Sequence, residues 1–186
     1  MDVISGRLQP AAKRLLAAWL QLPRLDGVPT RASFDPTVIA SVLPVVSVIQ
    51  RICADVWRVR LAGTEIERRW GRMLTGHNYS DILSVQAATV IYREFEAVCR
   101  QPCGSWSLRH LELRSGRQLQ IETVRLPLRG KDGEVDLILS CNGEVTPGFI
   151  PEADQSREVI TVVEQEFFDI GAGRPAGACL STLLSA

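Results

Sequence analysis

The chain has 186 residues, enough for one domain with extensions and a hydrophobic core that needs neither disulfides nor metal. Its 21 basic residues balance its 21 acidic ones, so no overall field favours nucleic acid or an anionic membrane. The five cysteines are an odd number without a Cys-x-x-Cys pair, which argues against a disulfide framework or a tetrahedral zinc site. No apolar run approaches the roughly 20 residues that a bilayer crossing needs. We therefore expect a soluble protein of the reducing cytoplasm that neither spans a membrane nor binds nucleic acid.

Residues 7–22 have the spacing of an amphipathic helix, with leucines and Trp19 on one side and basic residues on the other. Pro10 suits the first helical turn, where its missing donor is not needed. The apolar stripe of this helix must be buried somewhere. Two alternatives are open: the stripe packs on its own domain, or it forms the seam of a homodimer.

A turn-rich segment, residues 23–36, follows this helix, so residues 1–36 are predicted to be an N-terminal helix and linker. Asp35 and the proline after it favour a helix start, an N-cap followed by proline at the first helical position. A short helix is therefore predicted to continue to about residue 42.

Two strands and a second short helix are predicted next. A β-branched run indicates a first strand at 45–52, and the alternation of apolar residues with arginine over 57–61 indicates a second strand paired with it as a hairpin. Gly63 ends the second strand. Thr64 is predicted to cap the short helix, with Glu67 as its capping-box partner.

The longest predicted helix spans residues 84–100. Its apolar residues recur on one face at helical spacing, and we assign Arg93, Glu94 and Glu96 to the opposite face.

Three further strands are predicted at 104–114, 117–128 and 134–142, with hairpin joints at Ser115-Gly116 and at 130–133. In the first two strands the apolar residues switch alternation phase partway along. This switch predicts a bulge or a pronounced twist in each of them.

The predicted core domain therefore covers residues 37–143. Residues 144–186 form a C-terminal extension, in which 157–170 have the composition of an extra strand. The last residues are small and polar enough to make a loose tail.

Four short motifs carry a resemblance to a known family: Pro29-Thr30-Arg31-x-x-Phe34-Asp35-Pro36, Leu43-Pro44, Arg60-Leu61-Ala62-Gly63-Thr64 and Gly71-x-x-Leu74-Thr75-Gly76. With the order of predicted elements, they resemble a bacterial family of single-domain PAS-like proteins, the PAS_5 type, over about residues 13–143. The resemblance implies an α+β fold, a five-stranded antiparallel sheet with helices on one face. It also implies a sensory or regulatory module that holds a small ligand between sheet and helices and pairs through amphipathic flanks.

Two cofactors of PAS relatives are disfavoured. Light-sensing flavin members carry their photoadduct cysteine in a Gly-x-Asn-Cys turn, whereas here Gly76 and Asn78 are followed by Tyr79. Haem-binding relatives use a histidine on or just after the long helix, whereas the two histidines here, His77 and His110, lie outside that helix. The ligand is therefore unidentified by the sequence.

Ten side chains are predicted to line the interior cavity. The polar candidates are Arg60, Thr64, His77, Tyr79, Tyr92 and His110, and the apolar walls are Trp57, Trp70, Phe95 and Trp106. An arginine near the end of a strand, such as Arg60, could hold a carboxylate or phosphate in bidentate fashion. Its alternation with apolar neighbours instead favours a solvent-facing side chain, and the aromatic residues would equally build a filled core.

The sequence has no catalytic signature of the Ser-His-Asp, phosphate-loop or His-Glu-x-x-His type, so we do not expect an enzyme. The leading interpretation is a sensory or regulatory protein without its own output domain, which binds a small ligand, a partner protein or both. One alternative is a ligand-free dimerisation or adaptor module with a filled core. Another is a small-molecule enzyme on a PAS-like scaffold, whose turnover would depend on Arg60 or His77.

Overall fold

A computed structural model of the chain describes residues 2–113, 118–145 and 156–175. Within these ranges the order of elements agrees with the predicted one. The hairpin joint predicted at Ser115-Gly116 and the end of the predicted tail lie outside the described residues.

Within the described residues the α-helices are α1 (Asp2–Arg7), α2 (Pro10–Leu20), α3 (Thr64–Trp70) and α4 (Val85–Arg100). The helix predicted over 7–22 is thus shorter at both ends and is preceded by a separate turn of helix. The segment Pro36–Val45 is 3₁₀ rather than α-helical, and it begins as predicted, because the Asp35 carboxylate accepts a bond from the Thr37 N–H at 2.9 Å.

The described strands are β1 (Arg24–Leu25), β2 (Val28–Pro29), β3 (Val46–Cys53), β4 (Val56–Ala62), β5 (Gly104–Leu113), β6 (Gln118–Arg129), β7 (Val135–Glu144) and β8 (Ser156–Phe168). The first two form a small separate ribbon. The others form one antiparallel sheet of six strands in the order β4-β3-β7-β6-β5-β8. The α+β fold is therefore confirmed. The sheet has one strand more than the five predicted, because β8, from the C-terminal extension, pairs with β5.

Both faces of this sheet are covered. Helix α4 packs on one face, and α2 packs on the other, where its Trp19 is fully buried and donates from Nε1 to the Pro127 carbonyl at 2.9 Å. The apolar stripe of α2 is buried in the same cluster as Val124, Leu126 and Leu128 of β6. Of the two alternatives for this stripe, packing on its own domain is the one observed. The surface that was predicted as an alternative homodimer seam is covered by the sheet of the same chain.

A buried carboxylate fixes the start of α2 on the sheet. Glu122 of β6 accepts from the backbone N–H of Gln9 at 3.0 and 3.1 Å and from Nε1 of Trp106 at 2.9 Å. Arg7 lies over the same indole ring at 4.4 Å from its centroid. This end of α2 is therefore held by specific polar contacts as well as by burial.

A bulge or a pronounced twist was predicted in each of β5 and β6, and the described pairs between these two strands contain no bulge. The described pairs run in unbroken register from Ser105 with Arg125 to Glu112 with Gln118. Since neighbouring strand residues point to opposite faces, and both faces are buried here, the apolar residues can change face without a bulge. Each of the two strands does have a register shift with its other neighbour: β5 with β8 between Leu108 and Arg109, where the apolar pattern changes phase, and β6 with β7 between Leu128 and Arg129.

The turn from β4 into α3 depends on Gly63. A Cβ at this position would collide with the backbone of Leu43 and Pro44, so only glycine allows this close approach. Thr64 does not cap α3 as predicted: it is exposed, and Gly63 occupies the cap position. Glu67 accepts instead from the Leu74 N–H at 2.9 Å and ties the following loop to α3.

Candidate functional site

A cavity of about 70 Å³ lies between the sheet and the layer formed by α3, α4 and the loop that joins them. One buried water needs about 10–15 Å³ of such space, so the cavity has room for a few waters or a very small ligand. Its sheet side consists of Ser47, Val59, Ala62, Arg109, Leu111, Ile121, Thr123, Arg125 and Asn142, and the rest of its wall consists of Ile66, Arg69, Trp70, Leu74, Tyr79, Ile82 and Ile91.

A buried ionic cluster forms the polar end of this cavity. Glu94, on the sheet-facing side of α4, accepts through Oε1 from Arg125 Nη1 at 2.7 Å and from the Ser105 hydroxyl at 2.6 Å. Its Oε2 accepts from Arg109 Nη2, and Arg109 Nε donates to the Ser107 hydroxyl at 2.9 Å. Both arginines line the cavity, while Glu94 lies behind them.

The cluster is almost fully removed from solvent: Glu94 is 2% exposed, Arg125 2% and Arg109 4%. Burial alone would raise the pKa of Glu94, but the charges of Arg125 and Arg109 and the Ser105 hydroxyl outweigh it and hold that pKa below its ordinary value. Burial first, and then the neighbouring charge of Arg125, lower the pKa of Arg109 to about 10. At neutral pH Glu94 and Arg109 are therefore both charged.

A third arginine lies on the opposite wall of the cavity. Arg69 of α3 is 2% exposed, donates from Nη2 to the Asn142 carbonyl at 2.7 Å and lies 3.5 Å from a carboxylate oxygen of Glu144. Burial lowers the pKa of Arg69, and the charge of Glu144 opposes this shift. Among the described residues that line the cavity, the charged ones are the arginines of α3, β5 and β6, and none is acidic.

Arg125 differs from the other two arginines in its hydrogen bonding. Its guanidinium carbon lies 5.1 Å from the centroid of the Phe95 ring, in cation–π contact. Its Nε–H is buried without a hydrogen-bond partner in the described part of the chain. A buried donor without an acceptor is destabilising, so this guanidinium has unused binding capacity.

Small polar side chains complete the sheet side of the cavity. Thr123 donates to the Asn142 amide oxygen at 3.4 Å, and the amide nitrogen of Asn142 donates to the Ser47 hydroxyl at 3.2 Å. These residues lie on the adjacent strands β6, β7 and β3. The facing wall is largely apolar except for Arg69, so most of the polar groups of the cavity lie on its sheet side.

Five of the ten residues predicted to line the cavity lie in or beside it. Trp70 and Tyr79 line it. Phe95 of α4 and Trp57 of β4 are fully buried, with ring centroids 4.9 Å apart. Tyr92 of α4 packs against the same cluster. The aromatic residues of this group therefore build the core that surrounds the cavity.

The other five lie elsewhere, which corrects their predicted placement. Arg60, Thr64 and His77 are exposed. Trp106 belongs to the cluster under α2, and His110, which lies 3.2 Å from the Gln120 amide nitrogen, has the same strand parity as Trp106, so both point to the face opposite the cavity.

The sequence interpretation missed the charged residues of the site and assigned Glu94 to the solvent side of its helix. A signal was present, because Glu94 lies three residues after Ile91 and one before Phe95, within the buried face of α4. The second signal lay in β5 and β6, where polar residues stand at positions that the alternation would make apolar. Three of these residues, Ser107, Arg109 and Arg125, face the cavity side of the sheet.

The four cysteines among the described residues do not extend the site. Cys99, Cys103 and Cys141 are buried free thiols, and burial raises the pKa of each to about 12. Cys53 is exposed and free. Among the described residues no three His, Cys, Asp or Glu side chains are grouped as a metal site would need. Nor is any helix in the described ranges long and apolar enough to cross a membrane.

Comparison with known proteins identifies the fold. A family profile described as a PAS domain matches residues 7–142. A light-oxygen-voltage domain studied with a flavin analogue is similar in structure, with a TM-score of 0.45 and 13% identity over 59% of this chain and 83% of that one. An RNA-binding light-oxygen-voltage receptor has a TM-score of 0.46 and 17% identity over 67% of this chain and 36% of that one. No curated protein sequence matches. At these scores the structural likeness carries no argument about ligand or partner.

A flavin does not fit the residues present. Tyr79, which stands where light-sensing members carry their cysteine, packs edge-on against Phe95 at 5.3 Å between ring centroids. The cavity of about 70 Å³ holds only a few waters, far less than a fused aromatic cofactor needs.

Proposed function

The chain belongs to the PAS domain family, and from this premise we propose that it is a sensory or regulatory module whose signal is a small molecule bound in the cavity beneath α3 and α4. The observation that carries the proposal is the lining of this cavity, in which Arg109 and Arg125 lie on the sheet side and Arg69 lies on an opposite wall that is otherwise largely apolar. Burying a guanidinium group costs folding free energy, and apolar residues of similar volume would often fill such a space at lower cost. A ligand site gives these arginines a role that a filled core does not.

Strand β6 connects the cavity to helix α2 and could transmit the effect of a ligand to a partner protein. In β6, Thr123 and Arg125 line the cavity, while Glu122 and Val124 contact α2 or its cluster on the other face. A ligand that displaces the cavity side chains also acts on the strand that holds α2. We propose that a partner protein binds the solvent-facing side of α2, and that the module acts in the cytoplasm, where its buried thiols remain reduced.

We propose no catalytic role. The side chains that line the cavity in the described part of the chain include no histidine, cysteine, aspartate or glutamate, and the one general acid among them, Tyr79, packs edge-on against Phe95. Arg60 and His77, on which the enzyme alternative depended, are exposed outside the cavity.

The second candidate function is a ligand-free interaction module, and the small volume of the cavity favours it. A variant that fills the cavity distinguishes between the two candidate functions. Ala62 lines the cavity, so Ala62→Leu places three more carbons in it, whereas Ala54→Leu makes the same change at an exposed turn.

The experiment is a thermal-shift screen of both variants and the wild type against small metabolites, with native mass spectrometry of protein isolated from its host. For a ligand site we expect at least one compound to stabilise the wild type and the Ala54→Leu variant but not Ala62→Leu. No bound mass and no stabilising compound, together with an Ala62→Leu variant as stable as the wild type, would support the ligand-free module instead.

A further inference from the structure

The cavity carries more positive than negative charge. Its three guanidinium groups, those of Arg69, Arg109 and Arg125, have two carboxylate partners among the described residues, Glu94 and Glu144. Glu94 is shared between two of the arginines. One buried positive charge is therefore left without a carboxylate in the part of the chain that the structure describes.

The hydrogen-bond inventory agrees with the charge count. Glu94 accepts bonds from Ser105, Arg109 and Arg125, and among the described residues the Nε–H of Arg125 has no acceptor. Arg125 lines the cavity and is 2% exposed. A carboxylate placed in the cavity would bring an acceptor to this guanidinium group, which has one buried donor without a partner among the described residues.

We infer that the cavity selects a small monocarboxylate, whose carboxylate lies against Arg109 and Arg125 and whose apolar part lies against the aliphatic wall. This inference rests on the proposed ligand-binding function. A single negative charge matches the single excess positive charge, and a planar carboxylate matches the fork of a guanidinium group.

The other wall and the volume restrict the rest of the molecule. Ile66, Ile82 and Ile91 offer no hydrogen-bonding side chain, so an alkyl group fits there better than a hydroxylated one. A cavity of about 70 Å³ admits only a few non-hydrogen atoms without rearrangement, as in acetate or propionate. A phosphate dianion would exceed the charge excess and would place oxygens against the apolar wall.

The first experiment compares acids with uncharged molecules of the same shape. Acetate, propionate and butyrate are titrated against acetamide, propionamide and butyramide at constant ionic strength, with inorganic phosphate as a further anion. We expect the best carboxylate to bind the full chain at least tenfold more tightly than its amide and more tightly than phosphate.

Variants test whether the preference for a charged ligand depends on the arginines of the cavity. Arg125→Met is expected to weaken carboxylate binding at least tenfold, whereas Arg60→Met, a matched change at an exposed arginine, leaves it unchanged. Since Arg125→Met also removes one of the two arginine partners of Glu94 and is expected to lower stability, Glu94→Gln is the second variant. It keeps the side-chain shape and removes a competing negative charge, so it should bind carboxylates more tightly than the wild type does.

The outcomes separate this inference from the proposed function. Amides that bind as tightly as the acids, or phosphate that binds more tightly, would overturn the monocarboxylate while leaving a ligand site. The same holds if neither probe class binds but another metabolite stabilises the wild type and not Ala62→Leu. If no compound of any class binds, both the inference and the proposed function fail.

Discussion

Arg125 Nη1 donates to Glu94 Oε1 at 2.7 Å between two side chains that are 2% and 3% exposed. This pair joins α4 to β6 across the interior, and Arg109 joins the same carboxylate from β5. Such a cluster does not maximise stability, because the cost of burying charges often exceeds their attraction. It holds guanidinium groups in place at the cavity wall, where a ligand can contact them.

Removal of Glu94 should be strongly destabilising. Glu94→Ala leaves Arg109 and Arg125 buried without their carboxylate, and we expect a loss of about 3–5 kcal/mol in the free energy of unfolding. The matched control is Glu96→Ala on the same helix, which breaks a half-exposed pair with Arg51 and should cost at most about 1 kcal/mol. Urea unfolding followed by circular dichroism measures both. Equal losses in the two variants would mean that the buried cluster is not ionic as described.

The pH dependence of stability should show the lowered pKa of Glu94. Because that pKa lies below the ordinary 4.5 in the folded state, the unfolded chain binds the proton more readily. The stability contributed by the ionised carboxylate is therefore present above pH 4.5 and is lost as the pH falls below it. Glu94→Gln cannot titrate, so the stability difference between wild type and variant should shrink below pH 4.5. A constant difference down to pH 3 would contradict the assignment.

Helix α2 should be needed for stability and not for dimerisation. Trp19→Ala empties a fully buried site and breaks the bond to the Pro127 carbonyl, and we expect a loss of about 3–5 kcal/mol. Lys13→Ala on the exposed side of α2 should change stability by no more than about 0.5 kcal/mol. Light scattering should give the same molar mass for both variants as for the wild type. A molar mass that halves in Trp19→Ala while stability is retained would instead support a homodimer that pairs through α2.

The thiols should differ widely in reactivity. Burial raises the pKa of Cys99, Cys103 and Cys141 to about 12, so almost none of each is thiolate at pH 8, whereas Cys53 is exposed. Iodoacetamide labelling of the native protein, read by peptide mass spectrometry, should modify Cys53 quickly and the buried three only on unfolding. Fast labelling of Cys99 or Cys103 would instead support a redox role for these thiols.

The elements that could be predicted from the sequence are those with local signals. Ser84 was predicted to begin α4, and its hydroxyl does accept from the Ala87 N–H at 3.3 Å. The alternation after Asp55 indicated the β3–β4 hairpin correctly, and Asp55 has the positive φ of 60° that a tight turn favours. In such cases a few neighbouring residues determine the structure.

The site could not be predicted in this way because its contacts are distant in the chain. Glu94 meets Arg109 and Arg125 across 15 and 31 residues, and charged side chains are so rarely buried that solvent was the expected place for each. The chemistry assigned to Arg60, the binding of an anion by a strand arginine, fits the cavity, but the arginines that lie there belong to other elements. In β5 and β6 the polar residues that interrupted the apolar pattern indicated a polar cavity wall.

The central claim is that the guanidinium groups of the cavity bind a small monocarboxylate, and NMR of the arginine Nε–H signals tests it most directly. The signal of Arg125, assigned by its loss in Arg125→Lys, is followed while propionate or propionamide is added at constant ionic strength. The account predicts a saturable shift of this signal with propionate and no shift with propionamide, while signals of surface arginines stay in place. A signal of Arg125 that does not move, or that drifts without saturation together with those of the surface arginines, would contradict it.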